Sequence, residues 1–311
     1  MAIYLFKRIS SSIVVLLGVS LLLFLLIYLA PSDPARIIAA QRLGGDVPGA
    51  DEIEWVRKEY GLDQPLLVQY VSWLGRTVRG DLGYSIRTGN PVADELRHAV
   101  GYSLALAAAA MGLVLVIAIP AGVLAGMHEG SVWDRVMRFV SATWVSIPEF
   151  WLAFLLIACF SIQLRWLPSY GAKSWRHFIL PVLSLGLISA ARLAYLIRSA
   201  VLEELHQDYM RTARGKSYSY RMSVIRHALP NIVAPFVTMA AYQFSGLASG
   251  SVIIETLFAW PGVGSYYVDG IGFRDIPVIQ VTALFFASVF MLANCLADVV
   301  IVIVDPRVRV E

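Results

Sequence analysis

Residues 101–126 read GYSLALAAAAMGLVLVIAIPAGVLAG and contain no charged side chain. Because a helix needs roughly 20 mostly apolar residues to cross the hydrocarbon core of a bilayer, this run is long enough to span a membrane. The 311-residue chain is 58% hydrophobic and 15% charged, whereas soluble proteins average about 45–50% and about 25%. The same criterion is met by five further runs, at residues 9–30, 136–162, 178–200, 229–254 and 276–304. The sequence therefore predicts an all-α polytopic membrane protein with six transmembrane helices.

The first apolar run has a basic flank, Lys7 and Arg8, as a secretory signal peptide would. Its uncharged part, residues 13–30, is too long for a signal-peptide core, and no small-residue cleavage site precedes Pro31. We therefore expect an uncleaved first helix.

The distribution of Lys and Arg predicts the orientation, because short cytoplasmic loops carry an excess of these residues. With the N-terminus inside, the cytoplasmic flanks carry Lys7, Arg8, Arg135, Arg138, Arg198, Arg211, Arg214, Lys216, Arg221, Arg226, Arg307 and Arg309. The short outer loops carry only Arg165, Lys173, Arg176 and Arg274. Both termini and the loop at 208–230 are therefore expected in the cytoplasm.

The predicted organisation follows from these spans. It comprises a cytoplasmic N-terminus at 1–8, a transmembrane helix at 9–30, an extracytoplasmic segment at 31–100, a five-helix transmembrane core at 101–304 with a cytoplasmic loop at 201–228, and a cytoplasmic tail at 305–311. Within the extracytoplasmic segment, residues 51–59 predict a short helix ending at Gly61, and residues 66–78 an amphipathic helix. A small cap packed on the helix ends is favoured, and a part in receiving a substrate is the alternative.

Small and cyclic residues inside the spans predict local geometry. The pairs Gly122/Gly126 and Gly246/Gly250 have the small-xxx-small spacing that lets helix backbones approach closely. Pro120 and Pro148 should kink or loosen their helices.

No motif for chemistry withstands inspection. Gly215-Lys216-Ser217 resembles the end of a phosphate-binding loop, but Met210 stands where the pattern needs glycine. There is no zinc-binding His-Glu-x-x-His and no Gly-x-Ser-x-Gly, and the two cysteines, Cys159 and Cys295, lie in apolar runs. We expect no catalytic residues and no metal site in this chain.

Three ionisable residues lie within the predicted spans: Glu149, Arg192 and Asp298. Each costs roughly 2.5–3.5 kcal/mol on insertion scales unless it has a partner or water. One interpretation is an interhelical ion pair or a bond to loosened backbone. The other is that Glu149 and Arg192 face a polar path through the bundle. Asp298, nearer the cytoplasmic end, is a weaker candidate for this path.

The cytoplasmic segment at 208–230, DYMRTARGKSYSYRMSVIRHALP, is basic and polar between two apolar runs. A helix leaving the fourth span, a break near 215–219 and a second short helix would form a helix-turn-helix with Tyr218 and Tyr220 at its tip. On charge alone, such a loop could serve orientation or contact lipid headgroups. Exposed tyrosines also suit a protein pocket.

The residues of this segment carry a family resemblance. Arg211-Thr212-Ala213-x-x-x-Ser217, followed after nine residues by His227-x-Leu229-Pro230, resembles the EAA loop of bacterial ABC importer permeases. The variant is similar to the branch that imports dipeptides, oligopeptides and nickel. Further matches in order are Pro31-Ser32-Asp33-Pro34, Tyr60-Gly61-Leu62-Asp63-Gln64-Pro65-Leu66, Gly80-Asp81-Leu82-Gly83-x-Ser85, Glu255, Phe258-Ala259-Trp260-Pro261-Gly262-Val263-Gly264 and Asp305-Pro306-Arg307. The resemblance covers essentially the whole chain.

Two positions depart from the general motif. Ser217 replaces its glycine, with Gly215 two positions earlier, and Arg211 replaces its first glutamate. Since glycine adopts positive φ freely and serine does not, the turn of the loop is expected either to be shifted or to use a different backbone geometry.

The resemblance implies a type I ABC importer permease, a multi-pass protein of the bacterial cytoplasmic membrane. Its implied partners are a second homologous permease, cytoplasmic ATPase subunits, an extracytoplasmic solute-binding protein and the lipid bilayer, and no nucleic acid. ATP and Mg would be bound by the ATPases, so this chain would hold no cofactor. The coupling loop would include Arg211, Thr212, Ala213, Gly215, Lys216, Ser217, Tyr218, Tyr220, Arg221, His227, Leu229 and Pro230.

The substrate stays open at this point between peptides and nickel or another metal chelate. The alternative function is an ATP-independent secondary carrier or channel, in which 208–230 would serve only to orient the chain.

Overall fold

A computed structural model of the chain describes residues 2–29, 33–43, 47–210, 219–250 and 252–304. In these ranges the regular structure is helical apart from one isolated β-bridge, between Tyr84 and Pro91, which confirms the all-α prediction. The helices are α1 (Ala2–Leu29), α2 (Pro34–Arg42), α3 (Ala50–Glu59), α4 (Leu66–Val78), α5 (Val92–Met127), α6 (Val132–Val145), α7 (Glu149–Leu156), α8 (Arg176–Leu205), α9 (Tyr220–Ser223), α10 (Leu229–Gly250), α11 (Val252–Leu257), α12 (Val263–Gly272) and α13 (Ile276–Val304). Two π-helical segments, Ile157–Gln163 and Val224–Ala228, continue α7 and α9.

The segment between α1 and α5 is helical and packs on its neighbours. Both helices predicted here are present, and Gly61 after α3 has a φ of 63°, which glycine adopts without strain. On α4, Tyr70 and Trp73 stack against Phe24 of α1. Two residues of α4 thus contact α1, although no residue of α4 is buried.

The centre of the bundle is the long contact between α5 and α8. A Cβ added to Gly122 would lie 2.6 Å from the carbonyl oxygen of Ala194, and one added to Gly126 would lie 2.7 Å from the Val201 side chain. Only glycine allows the two backbones to approach this closely. The predicted role of this glycine pair is confirmed.

The second glycine pair does not behave in this way. Nothing lies within 4 Å of the position that a Cβ on Gly246 would take. The spacing Gly246/Gly250 therefore does not create a close helix contact through Gly246 within this chain. The pattern is common in spanning helices, and it does not specify which side of the helix is covered.

The third apolar run, predicted as one helix over 136–162, is broken. Helix α6 ends at Val145, α7 begins at Glu149, and the two helical parts, Val132–Val145 and Glu149–Gln163, meet at 98°. Pro148 has no N–H to donate and disfavours α conformation in the residue before it, so the chain leaves the helix here. A kink was predicted, but the nearly perpendicular turn was not.

In the part of the chain that the structure describes, three helices are long and apolar enough to cross a membrane: Val92–Met127, Arg176–Leu205 and Ile276–Cys295. Two bent pairs pass the same test together: the pair at Pro148, and Tyr220–Val233 with Pro235–Ala248, which meet at 50°. The apolar helix Ser10–Leu25 is shorter. Within the described residues, the six predicted runs fall on helical structure, although the third is broken at Pro148 and the fifth, predicted to reach residue 254, is divided between α10 and α11.

Candidate functional site

Glu149 is the first residue of α7, directly after the break at Pro148. The backbone N–H groups of Trp151 and Leu152 donate to the Pro148 carbonyl at 3.0 and 3.2 Å and start the helix. The first turn of a helix has free N–H groups and a partial positive charge, which favours a carboxylate. The same break that ends α6 therefore gives Glu149 a position suited to its charge.

Glu149 and Arg192 line one polar cavity of about 180 Å³ between α7, α8 and α10. The remaining lining residues are Leu185 and Ser189 of α8 and Tyr242, Gln243, Gly246 and Leu247 of α10. The α8 residues are spaced by four and three, so they share one face of the helix. A volume of this size has room for several water molecules.

The two opposite charges interact across this cavity without forming a close ion pair. Arg192 acts electrostatically on the Glu149 carboxylate. Among the described residues, however, no ion pair within 4.0 Å joins Glu149 to Arg192. Both groups therefore remain available to a third polar or charged group placed between them.

The cavity is open along one side of the isolated chain. Arg192 is exposed, and 64% of the surface of Tyr242 is accessible. Gly246, with open space beside it, lies on the same side. The backbone of Asp298 lies on α13, but its side chain lies outside the described part of the structure.

Most of the predicted coupling residues lie outside the described ranges. These are Arg211, Thr212, Ala213, Gly215, Lys216, Ser217 and Tyr218. The described part begins at Ser219, whose hydroxyl caps α9 by accepting from the Met222 N–H. Arg221 is exposed on α9, His227 lies in the π segment, and Leu229 and Pro230 begin α10.

The sequence predicted Tyr220 at the tip of a helix-turn-helix. In the structure this side chain does not project freely. Its hydroxyl donates to the carbonyl oxygen of Met127 at 2.6 Å. The last carbonyl groups of a helix lack partners within the helix, and this tyrosine satisfies one at the end of α5. Since that contact joins residues far apart in sequence, the local pattern could not reveal it.

A polar cluster that the sequence did not predict connects the two ends of the segment at 208–230. Tyr209 donates to Glu204 near the end of α8, and the Asn231 side chain of α10 donates to the Tyr209 hydroxyl at 2.9 Å. Burial, together with the hydrogen bond to Glu204, raises the pKa of Tyr209. This hydroxyl stays protonated and links α8 to α10. Asn231 directly follows Pro230 of the motif, and this position was a usable signal.

Glu255, quoted above only as part of a motif, is fully buried and organises the chain after α11. It accepts hydrogen bonds from the Ser103 hydroxyl and the Gly264 N–H, both at 2.7 Å. A Cβ on Gly262 would lie 2.3 Å from its carboxylate. The glycines of the Trp-Pro-Gly-Val-Gly stretch therefore serve close packing around one buried carboxylate.

Comparison with known proteins identifies the class. Residues 118–310 match the family described as "Binding-protein-dependent transport system inner membrane component". Residues 1–107 match its companion, "Binding-prot-dependent transport system membrane comp, N-term". A helical bundle with these two matches is an inner-membrane permease of an ABC importer, and the chain belongs to this family. It is a permease family and not an enzyme family.

Individual relatives agree with this assignment. The chain is 40% identical over 306 residues to the glutathione transport system permease protein GsiC of Escherichia coli K12, covering 98% of each chain. The GsiC protein of Shigella dysenteriae serotype 1 matches equally well. A solved structure of the MetNI methionine ABC transporter, in an inward-facing conformation, is similar with a TM-score of 0.58 and 19% identity, over 68% of this chain and 96% of that one. This likeness confirms the predicted type I importer fold.

Proposed function

We propose that this permease imports small peptides and that they pass the cavity between Glu149 and Arg192. The observation that carries the proposal is the pair of opposite charges facing one cavity without a close ion pair. A peptide has an ammonium and a carboxylate group, which complement Glu149 and Arg192. The name of the GsiC relatives, which refers to glutathione, supports a peptide over a metal ion.

A second permease subunit is proposed to cover the open side of the cavity. An exposed Arg192 would cost roughly 2.5–3.5 kcal/mol against lipid on insertion scales. A polar surface of a similar subunit would remove this cost and complete the path. The same reasoning applies to the exposed Tyr242 beside it.

Coupling to partner ATPases is proposed to act through the 208–230 segment, with this segment and both termini in the cytoplasm. The Tyr209 cluster supports this because it connects the segment to α8 and α10 together. These helices carry Ser189 and Arg192 on one side of the cavity and Tyr242 on the other. A pull on the segment would therefore move both walls of the cavity. An extracytoplasmic binding protein would deliver the peptide at the opposite end.

Uptake measurements on Glu149→Gln test the proposed path. Because hydrogen bonds to charged groups contribute about 1.5–3 kcal/mol, we expect peptide uptake to fall at least about tenfold. The amount of assembled complex should stay unchanged. Glu59→Gln, on the exposed end of α3, is the matched control and should have no effect. Equal losses of uptake and assembly would show that Glu149 is structural.

Competition and co-purification test the substrate and the class of transport. Unlabelled dipeptides and glutathione should reduce uptake of labelled peptide, whereas nickel should not. If nickel competes and peptides do not, the substrate assignment is wrong. Uptake that persists without any ATPase subunit would instead favour an ATP-independent carrier.

A further inference from the structure

Helix α6, before the turn at Pro148, has three distinct faces. At 100° per residue, Asp134, Met137 and Ser141 form one face, and all three are buried. A second face is apolar and a third is basic. A membrane helix at the edge of a bundle needs a packed face and an apolar face toward lipid, so the basic face is the one that bundle packing does not explain.

The buried face is fastened to α8 by a charged pair. Asp134 is fully buried, and its two carboxylate oxygens accept hydrogen bonds from Nε and a terminal nitrogen of Arg198 at 2.5 and 3.0 Å. The Gly130 N–H donates to the same carboxylate at 3.0 Å. This bidentate geometry holds α6 in one orientation, so the directions of its other faces are defined.

The apolar face points away from the bundle. It is formed by Val132, Trp133, Val136, Phe139 and Val140, all of them exposed large hydrophobic residues, and Phe139 is 73% accessible. These positions cover about 120° of the helix circumference at the standard helical repeat. In water, this apolar face would stay exposed to solvent.

The basic face carries Arg135 and Arg138, both exposed. Arg138 lies 3.6 Å from Asp134, but that carboxylate already pairs with Arg198. Two guanidinium groups therefore share the Asp134 carboxylate, and together with the exposed Arg135 they leave positive charge at the surface. An anionic partner is needed to complement it.

We propose that α6 lies in the membrane interface and binds anionic phospholipid, with Arg135 and Arg138 on the headgroup phosphates and Phe139 among the acyl chains. The 98° angle to the helical part that follows places α6 across that helix. An apolar sector that includes a tryptophan, Trp133, and has a basic flank is typical of helices lying in the interface. The excess positive charge favours lipid phosphate over a second apolar protein surface. Arg198, near the end of α8, contacts α6 directly, and Tyr220 contacts the last residue of α5, just before α6 begins. Helix α6 therefore lies at the end of the bundle where the segment at 208–230 begins.

A fluorescent label tests what covers Phe139. The permease is co-expressed and purified with its partner subunits, with Cys159 and Cys295 changed to alanine and Phe139→Cys labelled with nitrobenzoxadiazole. In phosphatidylcholine–phosphatidylglycerol nanodiscs, lipids brominated on the acyl chain should quench the label more strongly than aqueous iodide does. The same label at Glu129→Cys, in the exposed turn before α6, should show the reverse. Quenching of position 139 mainly by iodide, or by neither agent because protein covers it, would overturn the proposal.

Retained lipid tests the role of the two arginines. After purification from vesicles with equal amounts of phosphatidylglycerol and phosphatidylcholine, the wild-type complex should retain more phosphatidylglycerol than phosphatidylcholine at this site. We expect Arg135→Gln and Arg138→Gln each to lower that enrichment about fivefold, the equivalent of ~1 kcal/mol for a basic residue near an anionic surface. Arg176→Gln, at the start of α8 and away from α6, is the control. An unchanged ratio of phosphatidylglycerol to phosphatidylcholine in the variant that carries both substitutions would refute the binding of anionic lipid.

Discussion

Replacing Gly122 by alanine should separate the two central helices of the bundle. The new Cβ would lie 2.6 Å from the carbonyl oxygen of Ala194, about 0.8 Å closer than an ordinary contact of 3.4 Å. The neighbour is backbone, so it cannot turn aside as a flexible side chain could. Overpacking of this kind costs about 1–3 kcal/mol. We expect a lower midpoint in a heating series of the detergent-solubilised chain, measured as the fraction that stays monodisperse on size-exclusion chromatography.

Gly112→Ala is a matched control on the same helix, because nothing lies within 4 Å of its added Cβ. Both variants gain the same helix propensity, about 1 kcal/mol, so their difference isolates the overpacking term. At roughly 2–4 °C per kcal/mol, Gly122→Ala should melt several degrees below Gly112→Ala. Equal midpoints would refute the close contact between α5 and α8.

Further predictions concern buried polar groups. Glu255→Gln should turn an amide donor toward the Gly264 N–H and lower the melting midpoint by the equivalent of about 1–3 kcal/mol; an unchanged midpoint would contradict the buried network. Asp134→Asn should lower the free energy of unfolding by about 3 kcal/mol. This value is the lower end of the range for broken buried ion pairs, because the Arg198 side chain remains 11% accessible. A loss smaller than that of a variant at an exposed carboxylate would contradict the prediction. Tyr209→Phe should lower ATP-coupled uptake while the complex still assembles, and normal uptake would remove this hydroxyl from the coupling path.

Between α1 and α5, helices α3 and α4 were predictable because each has a local signal, whereas α2 was not predicted. Apolar residues recur with helical spacing over residues 66–78, and α4 has the same bounds. Gly61 follows α3 as a residue that can take positive φ. Such signals depend only on neighbours in sequence. The predicted domain boundaries remain predictions.

The candidate site was predictable in composition but not in geometry. Charge within an apolar run is rare enough to single out Glu149 and Arg192, and both line one cavity. The angle at Pro148, the contact of Tyr220 with α5 and the open space at Gly246 depend on packing between distant segments. No local pattern contains that information.

The corner at Pro148 also limits how much bilayer the third apolar run can span. Because α6 lies nearly perpendicular to the helix that follows, it adds almost no length along that axis. The part beyond the corner has 15 residues, which extend about 22 Å at 1.5 Å per residue. The hydrocarbon core is about 30 Å thick. The hydrocarbon layer beside this helix therefore has to thin by several ångströms, at a modest free-energy cost per ångström of mismatch. This thinning is confined to the side of the bundle where that helix meets lipid, because the neighbouring helices Val92–Met127 and Arg176–Leu205 are long enough to span the core.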